Sequence, residues 1–389
     1  MRTHASRLLF PVLATLIGAA GLSPLLPSLS ASVRPVDDLL SIDHYVRVRS
    51  SVPSMNGEVA QLYVRERVQP ALALRRAANA DRVVLFVHGA GTPAEVAFDT
   101  PADGYSWMAY LAEAGFDTFS VDMTGYGRST RPTVMNDPCN LSAEQQALFV
   151  PTLLAAPCAA SYAHPATTIA SDWNDVGAAV DYVRALRRVD RVHLVAWSLG
   201  APRSAGYAAQ NPQKVGRLVL LAPAYTAGAS PAPPTPMPAN GTAFNTQSLD
   251  EFTANWDRQV GCPSQYDASI RDVVWSAMVA SDPVGATWGS GVRRAPSTTT
   301  WGWNATMAGQ LKAPVLTISG QHDKQVLPER VRELHTTLGS AEKVSIDLAC
   351  SSHNAMWETN HTQMFKASRE WLLQGSVNGQ KQGIVKVGY

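Results

Sequence analysis

The sequence predicts an α/β protein: a mostly parallel sheet covered by helices on both faces. Three observations carry that expectation. Short β-branched and aromatic runs alternate along the chain with amphipathic stretches of helical spacing. Some of those runs, above all Val83-Val84-Leu85-Phe86-Val87, are apolar throughout, as in strands buried on both faces. The chain has 389 residues and is 46% hydrophobic, enough for one large core or two smaller ones.

The elements follow in order. His44 to Arg49 and Val59 to Val64 alternate and suit an antiparallel edge hairpin. Val83 to Val87 is the first buried strand. Trp107 to Ala114 is amphipathic and ends at Gly115, and Phe116 to Val121 is the next strand. Residues 130–168 interrupt the rhythm with prolines, alanines and two cysteines, and read as an insertion. A helix is expected from Ser171 to Arg188, with Ser171 as N-cap. Arg191 to Ala196 is a strand, Leu199 to Gln210 a helix, and Arg217 to Leu221 a strand. From Ala224 to Leu311 the pattern changes again. Five prolines fall between Ser230 and Pro238, and five of the ten tryptophans follow. Pro314 to Ser319 resumes the strand rhythm. Pro328 to Leu338 is a helix, Lys343 to Leu348 a strand, and Thr359 to Leu373 a helix. The last ~15 residues, rich in Gly and Gln, read as a fraying tail.

Charge and cysteines narrow the function class. The formal net charge is +1 and no basic run occurs, so there is no electrostatic case for nucleic acid or an anionic membrane. Arg2 and Arg7 precede an apolar stretch, Leu8 to Leu26, and small residues follow at Ser28, Ser30, Ala31 and Ser32. This is the layout of a secretory leader over 1–32, cleaved near Ala31 or Ser32. The alternative is an uncleaved anchor; Pro11 and Pro24 interrupt such a span. The mature chain is therefore expected to be secreted or periplasmic, without stable membrane association. In an oxidising compartment the four cysteines, Cys139, Cys158, Cys262 and Cys350, suit two disulfides. Three pairings are possible; Cys139–Cys158 with Cys262–Cys350 is favoured, the first closing a short loop within one insertion. No cysteine or histidine cluster has metal-ligand spacing, and no metal, nucleotide or flavin cofactor is expected.

The chemistry lies at strand ends. Ala196-Trp197-Ser198-Leu199-Gly200 joins a buried strand to a helix rich in small residues. A serine on such a sharp turn presents its hydroxyl above the sheet, and small flanking residues let strand and helix approach. Alone, this serine also fits a helix N-cap. His88-Gly89-Ala90-Gly91 follows the first buried strand. The N–H groups of Ala90 and Leu199 can together receive a developing oxyanion, though alone the loop is an ordinary Gly-rich turn. His88 suits ordering of that loop better than proton transfer. Gly320-Gln321-His322-Asp323 and Ser351-Ser352-His353-Asn354 each follow a predicted strand. In a parallel sheet all of these lie on one edge. Ser198 is the candidate nucleophile, His353 the base and Asp323 the orienting acid, because a serine hydroxyl needs an imidazole, and the imidazole a carboxylate to fix its tautomer. His322 and Asp347 compete less well: the first precedes the acid, the second lies within a strand.

Taken together, these motifs resemble the α/β-hydrolase family over roughly Ser41 to Gln374. The matched features are His-Gly-x-Gly, Asp122-Met-Thr-Gly-Tyr-Gly-Arg-Ser129, the serine turn, Gly-x-x-Asp323 and the late His353, in the family's order. Ala196 departs from the usual glycine. The resemblance implies an eight-stranded, mostly parallel sheet built from 33–223 and 312–374. It also implies a helical cap over 224–311, leaving 375–389 as a tail. The Asp122 loop shapes the site edge in such proteins.

Within the family, a serine nucleophile argues against the dehalogenase and epoxide-hydrolase branches. His-Gly-Ala-Gly-Thr also departs from the His-Gly-Gly-Pro-Gly of proline aminopeptidases. The expectation is a secreted serine esterase acting through an acyl-enzyme on a small-molecule ester. Gly89, Gly91, Trp197, Trp256, Trp275 and Trp357 are candidate substrate contacts, the tryptophans pointing to an apolar or aromatic group. The same tryptophans could instead form the cap's own core. A cofactor-free perhydrolase or haloperoxidase, a peptidase, a carbon–carbon bond hydrolase and a catalytically silent binding protein are the alternatives.

Overall fold

The computed structural model describes residues 39–73, 80–232, 234, 236–288 and 293–389, with 80, 293 and 294 as backbone only. The leader expected over 1–32 lies outside them.

The principal sheet consists of β1 Leu40–Arg49, β2 Val59–Val68, β3 Val83–Val87, β4 Asp117–Val121 and β5 Val192–Trp197, then β6 Val215–Leu221, β7 Val315–Gly320, β8 Lys343–Leu348 and β9 Gln382–Val387. Their spatial order is β1-β2-β4-β3-β5-β6-β7-β8-β9. The β1–β2 and β2–β4 pairs are antiparallel. From β4 to β9 every pair is parallel. Successive residues of β3 show why the run had to be apolar throughout. Val84 and Phe86 enter one core, and Val83, Leu85 and Val87 the other, on the opposite face.

Two expectations need correction. The C-terminal segment is not a fraying tail: β9 pairs with β8 in parallel over six residues, so the sheet has nine strands among the described residues rather than eight. Only Val385 of β9 is buried, and an edge strand with so little apolar content carries no hydrophobic signature. Second, the helix expected from Ser171 runs Ile169–Arg187 and is capped by Thr168. Ser171 sits at its third position and closes a reciprocal capping box. Thr168 is also paired with Thr299 in a two-residue bridge, which gives it the extended backbone an N-cap requires.

The insertion at 130–168 and the stretch between β6 and β7 share a small core. Met135, Leu141, Phe149 and Ala166 pack with Ala243, Phe244 and the partly buried Trp288. Backbone bonds join them as well, Ala166 N–H to Ala243 O at 3.1 Å and Asn240 N–H to Ala163 O at 2.9 Å. Helices Leu249–Asp257 and Ala268–Ala280 instead contribute Phe252, Trp256, Val274, Trp275 and Met278 to the main core. No helix among the described residues is long and apolar enough to cross a membrane.

Candidate active site

Four loops leave the C-terminal edge of the parallel strands and meet. β5 ends at Trp197, and the next helix begins at Gly200. Between them Ser198 has φ +56°, a left-handed conformation costing a non-glycine residue about 1–3 kcal/mol. The surroundings impose it. Ser198 N–H donates to Leu221 O at 2.9 Å, and Ser198 O accepts from Ala224 N–H at 3.1 Å and Ala201 N–H at 3.0 Å. Close approach explains the neighbouring glycines. A Cβ on Gly200 would run into the Val87 carbonyl, and one on Gly89 would lie 2.8 Å from Ser198 Cβ. Ala196 is wholly buried in the core below the turn, so a methyl group is accommodated there in place of the family's usual glycine.

Asp323 and His353 lie on the loops that follow β7 and β8. Asp323 Oδ1 accepts from the N–H groups of Gln325 and Val326, both at 2.8 Å. Its Oδ2 lies 2.9 Å from His353 Nδ1. Both residues are buried. This contact turns Nδ1 toward Asp323 and Nε2 away from it. Gly320 is required where the two loops touch, because a Cβ would strike the Ser352 carbonyl.

Ser198 and His353 are joined through Trp197. Its indole N–H donates to His353 O at 2.8 Å, and the two rings lie 5.4 Å apart. No direct hydrogen bond links the serine hydroxyl to the imidazole among the described contacts.

The His88–Gly91 loop is held from behind by the Asp122 loop. His88 Nε2 accepts from Met123 N–H at 3.1 Å, Tyr126 OH from Gly91 N–H at 3.3 Å, and Asp122 Oδ1 from Ala94 N–H at 2.8 Å. Burial pushes the Asp122 carboxyl up to about 6, against the bonds from Arg128 and Ala94 that hold it down. Ala90 is exposed and Leu199 half-buried, and neither N–H has an acceptor among the described residues.

The tryptophans form a continuous buried chain. Trp197 packs on Trp357 at 5.4 Å, Trp357 on Trp256 at 5.7 Å, Trp256 on Phe252 at 5.8 Å and Phe252 on Trp275 at 5.4 Å. Trp357 donates to Thr100 Oγ1, and Trp256 to Glu358 Oε1. Gly91 is buried in the His88 loop, against Tyr126.

The cysteines pair as favoured, Cys139 with Cys158 and Cys262 with Cys350. The second bridge lies among bonds that sequence reasoning missed. Gln259 Oε1 accepts from Lys324 N–H at 3.1 Å and His353 N–H at 3.4 Å, so one amide spans the acid and base loops. Glu358 accepts from Ser352 N–H, the Ser352 hydroxyl, Gln265 and Trp256. Burial pushes its carboxyl up, against those bonds. Arg203, fully buried on the helix after Ser198, was missed too. The available signal was one arginine in Gly200-Ala-Pro-Arg-Ser-Ala-Gly206, otherwise a run of small residues.

The family profile described as the alpha/beta hydrolase fold matches residues 82–359. No curated protein matches the chain. Among solved structures, a serine hydrolase involved in carbazole degradation is 14% identical, with 86% of this chain and 99% of that one covered and a TM-score of 0.49. A thermophilic esterase from Thermogutta terrifontis is 15% identical, with coverages of 85% and 98% and a TM-score of 0.47. A monoacylglycerol lipase from Paleococcus ferrophilus is 17% identical, with coverages of 81% and 99% and a TM-score of 0.46.

Proposed function

The chain belongs to the alpha/beta hydrolase fold family, and from that premise we propose that it is an exported serine esterase working through an acyl-enzyme on Ser198. The observation that carries this is the pairing of a strained serine at a strand-to-helix turn with a buried Asp323–His353 couple on the same sheet edge. His353 Nε2 takes the Ser198 proton as Oγ attacks the ester carbonyl, and Asp323 stabilises the imidazolium. The carbonyl oxygen, now anionic, receives the N–H groups of Ala90 and Leu199. Collapse expels the alkoxide, which His353 protonates. Water then attacks the acyl carbonyl and gives its proton to His353; collapse breaks the bond to Ser198 Oγ, which takes that proton back from His353, and releases the acid.

The stretch 224–311 is the cap in this reading, and the aromatic chain from Trp275 to Trp197 is packed into the main core, which fits the tryptophans as core residues. Two disulfides fit an oxidising compartment and support export. Labelling with a fluorophosphonate and mapping the modified peptide tests the assignment. The adduct is expected on Ser198 and is expected to vanish in His353→Ala. An unlabelled Ser198 in folded protein, or full esterase activity in Ser198→Ala, would sink it.

A further inference from the structure

We propose that Arg203 is a positioning residue that aims the Ala90 N–H into the oxyanion site; this rests on the serine-hydrolase reading above. The argument begins with a buried cation. Arg203 is fully buried, and its Nε donates to Asp172 Oδ2 at 2.7 Å. A salt bridge would account for the charge, but the side chain goes further. Nη1 donates to His88 O at 2.9 Å and to Gly89 O at 3.2 Å. The helix that begins beside the nucleophile thus reaches back and grips the backbone of the loop opposite.

A second donor converges on the same carbonyl. Met123 N–H can only donate, so His88 Nε2 accepts and the ring proton resides on Nδ1. Nδ1 lies 2.7 Å from Gly89 O. Gly89 O is therefore held by a neutral imidazole N–H and by a guanidinium.

The consequence follows from the planarity of the peptide. In a trans unit the carbonyl of one residue and the N–H of the next point in opposite directions. Donors that fix Gly89 O toward the protein interior fix Ala90 N–H away from it. Ala90 is exposed, its N–H has no acceptor among the described residues, and Gly89 packs against Ser198. Hydrogen bonds accepted by a carbonyl also polarise its peptide and strengthen the N–H as a donor. Without Arg203 the peptide is held by His88 alone and is freer to flip, and a flipped peptide would present a carbonyl to the oxyanion. Asp172 completes the arrangement by fixing the guanidinium plane and balancing its charge.

Arg203→Gln combined with Asp172→Asn removes the charges together and leaves no unpaired buried ion. The esterase rate is measured per Ser198 that a fluorophosphonate labels when the reaction is run to completion, alongside KM and the affinity for a trifluoromethyl ketone, which forms a tetrahedral oxyanion adduct. Loss of one oxyanion donor typically costs ~100- to 1,000-fold in kcat, and misaiming it is expected to cost about 30-fold or more. KM should stay within about threefold, because a substrate carbonyl in the ground state gains little from the donor. Ketone affinity should fall in step with kcat/KM. Arg203→Lys serves if the double variant does not fold: an ammonium can pair with Asp172 without the fork, and the same split at smaller size is expected. A folded variant with wild-type kcat per labelled serine and unchanged ketone affinity would overturn the proposal. So would a loss of activity matched entirely by loss of labelled serine. If wild-type protein gives no Ser198 adduct, the hydrolase reading falls first, and this proposal with it.

Discussion

The indole N–H of Trp197 donates to the main-chain carbonyl of His353 at 2.8 Å. The residue before Ser198 thus ties the end of β5 to the His353 backbone after β8. Trp197→Phe keeps an aromatic ring in the core and removes the donor together with part of the indole's bulk. A buried carbonyl left without its partner costs roughly 1–3 kcal/mol. Thermal melting should fall accordingly, and kcat is expected to drop about tenfold or more as His353 loses its seat. Retention of full kcat by a destabilised variant would limit the contact to packing.

Cys262–Cys350 closes a loop between residues 88 apart and joins the segment carrying Gln259 and Gln265 to the segment carrying His353 and Glu358. A bridge over a loop this long stabilises a fold by about 2–4 kcal/mol. The double variant Cys262→Ser/Cys350→Ser should therefore melt lower and lose turnover. The matching change at Cys139 and Cys158 should affect melting more than turnover, because that bridge lies in the insertion. Measured kcat for the two double variants checks the contrast, and equal losses would refute it.

The ordered motifs were legible in the sequence because each is a short local pattern at a strand end: the serine turn, Gly-x-x-Asp323, His353 and His-Gly-x-Gly. The contacts that support them were not. Gln259, Glu358 and Arg203 are ordinary polar residues whose importance lies in partners far away in the chain, 94 residues in the case of Gln259 and His353. The tryptophans were legible as a group, but composition cannot tell a substrate-facing indole from one packed on Trp357. β9 was invisible because an edge strand with one buried side chain has no alternating apolar pattern to read.

Asp175 gives the stability a dependence on pH. Burial raises its carboxyl to about 7, although Thr124 donates to it and pulls the other way. The unfolded chain releases this proton near 4, the folded protein near 7. Between those values the folded state holds the extra proton, so this group's contribution to stability falls as pH rises from about 4 to 7 and is constant above. A shift of this size corresponds to on the order of 4 kcal/mol. Asp175→Asn should remove that slope and melt higher than wild type at pH 8. An unchanged slope in the variant would place the titration elsewhere.

β9 supports a test of the C-terminus. Val377 and Val385 are buried in the main core, and β9 covers the whole length of β8. Ending the chain after Gly375 removes both side chains and exposes the core surface they cover and the β8 edge. The apolar loss alone is roughly 3–6 kcal/mol. The truncated protein should melt well below the full chain and lose activity on warming, because β8 leads directly into the His353 loop. A fraying tail would predict no change in melting.

Gly89 separates the requirement for space at the nucleophile from the requirement for stability. Its backbone conformation is one that any residue adopts, so alanine introduces no backbone strain there. The added Cβ would lie 2.8 Å from Ser198 Cβ and 3.0 Å from Trp197 O, contacts that real side chains avoid. Ser198 is already held in a left-handed conformation by three backbone bonds, so the cheaper relief is displacement of the loop bearing Ala90. A shift of about 1 Å at a reacting centre can cost about 100-fold in rate. Gly89→Ala should therefore fold, bind substrate with a similar KM, and turn over about 100-fold more slowly. Phosphonylation of Ser198 should slow in parallel, since it too builds charge on an oxygen facing that loop. If Gly89→Ala instead keeps its kcat while its melting temperature collapses, the glycine serves strand packing, and the close approach to Ser198 has no catalytic meaning.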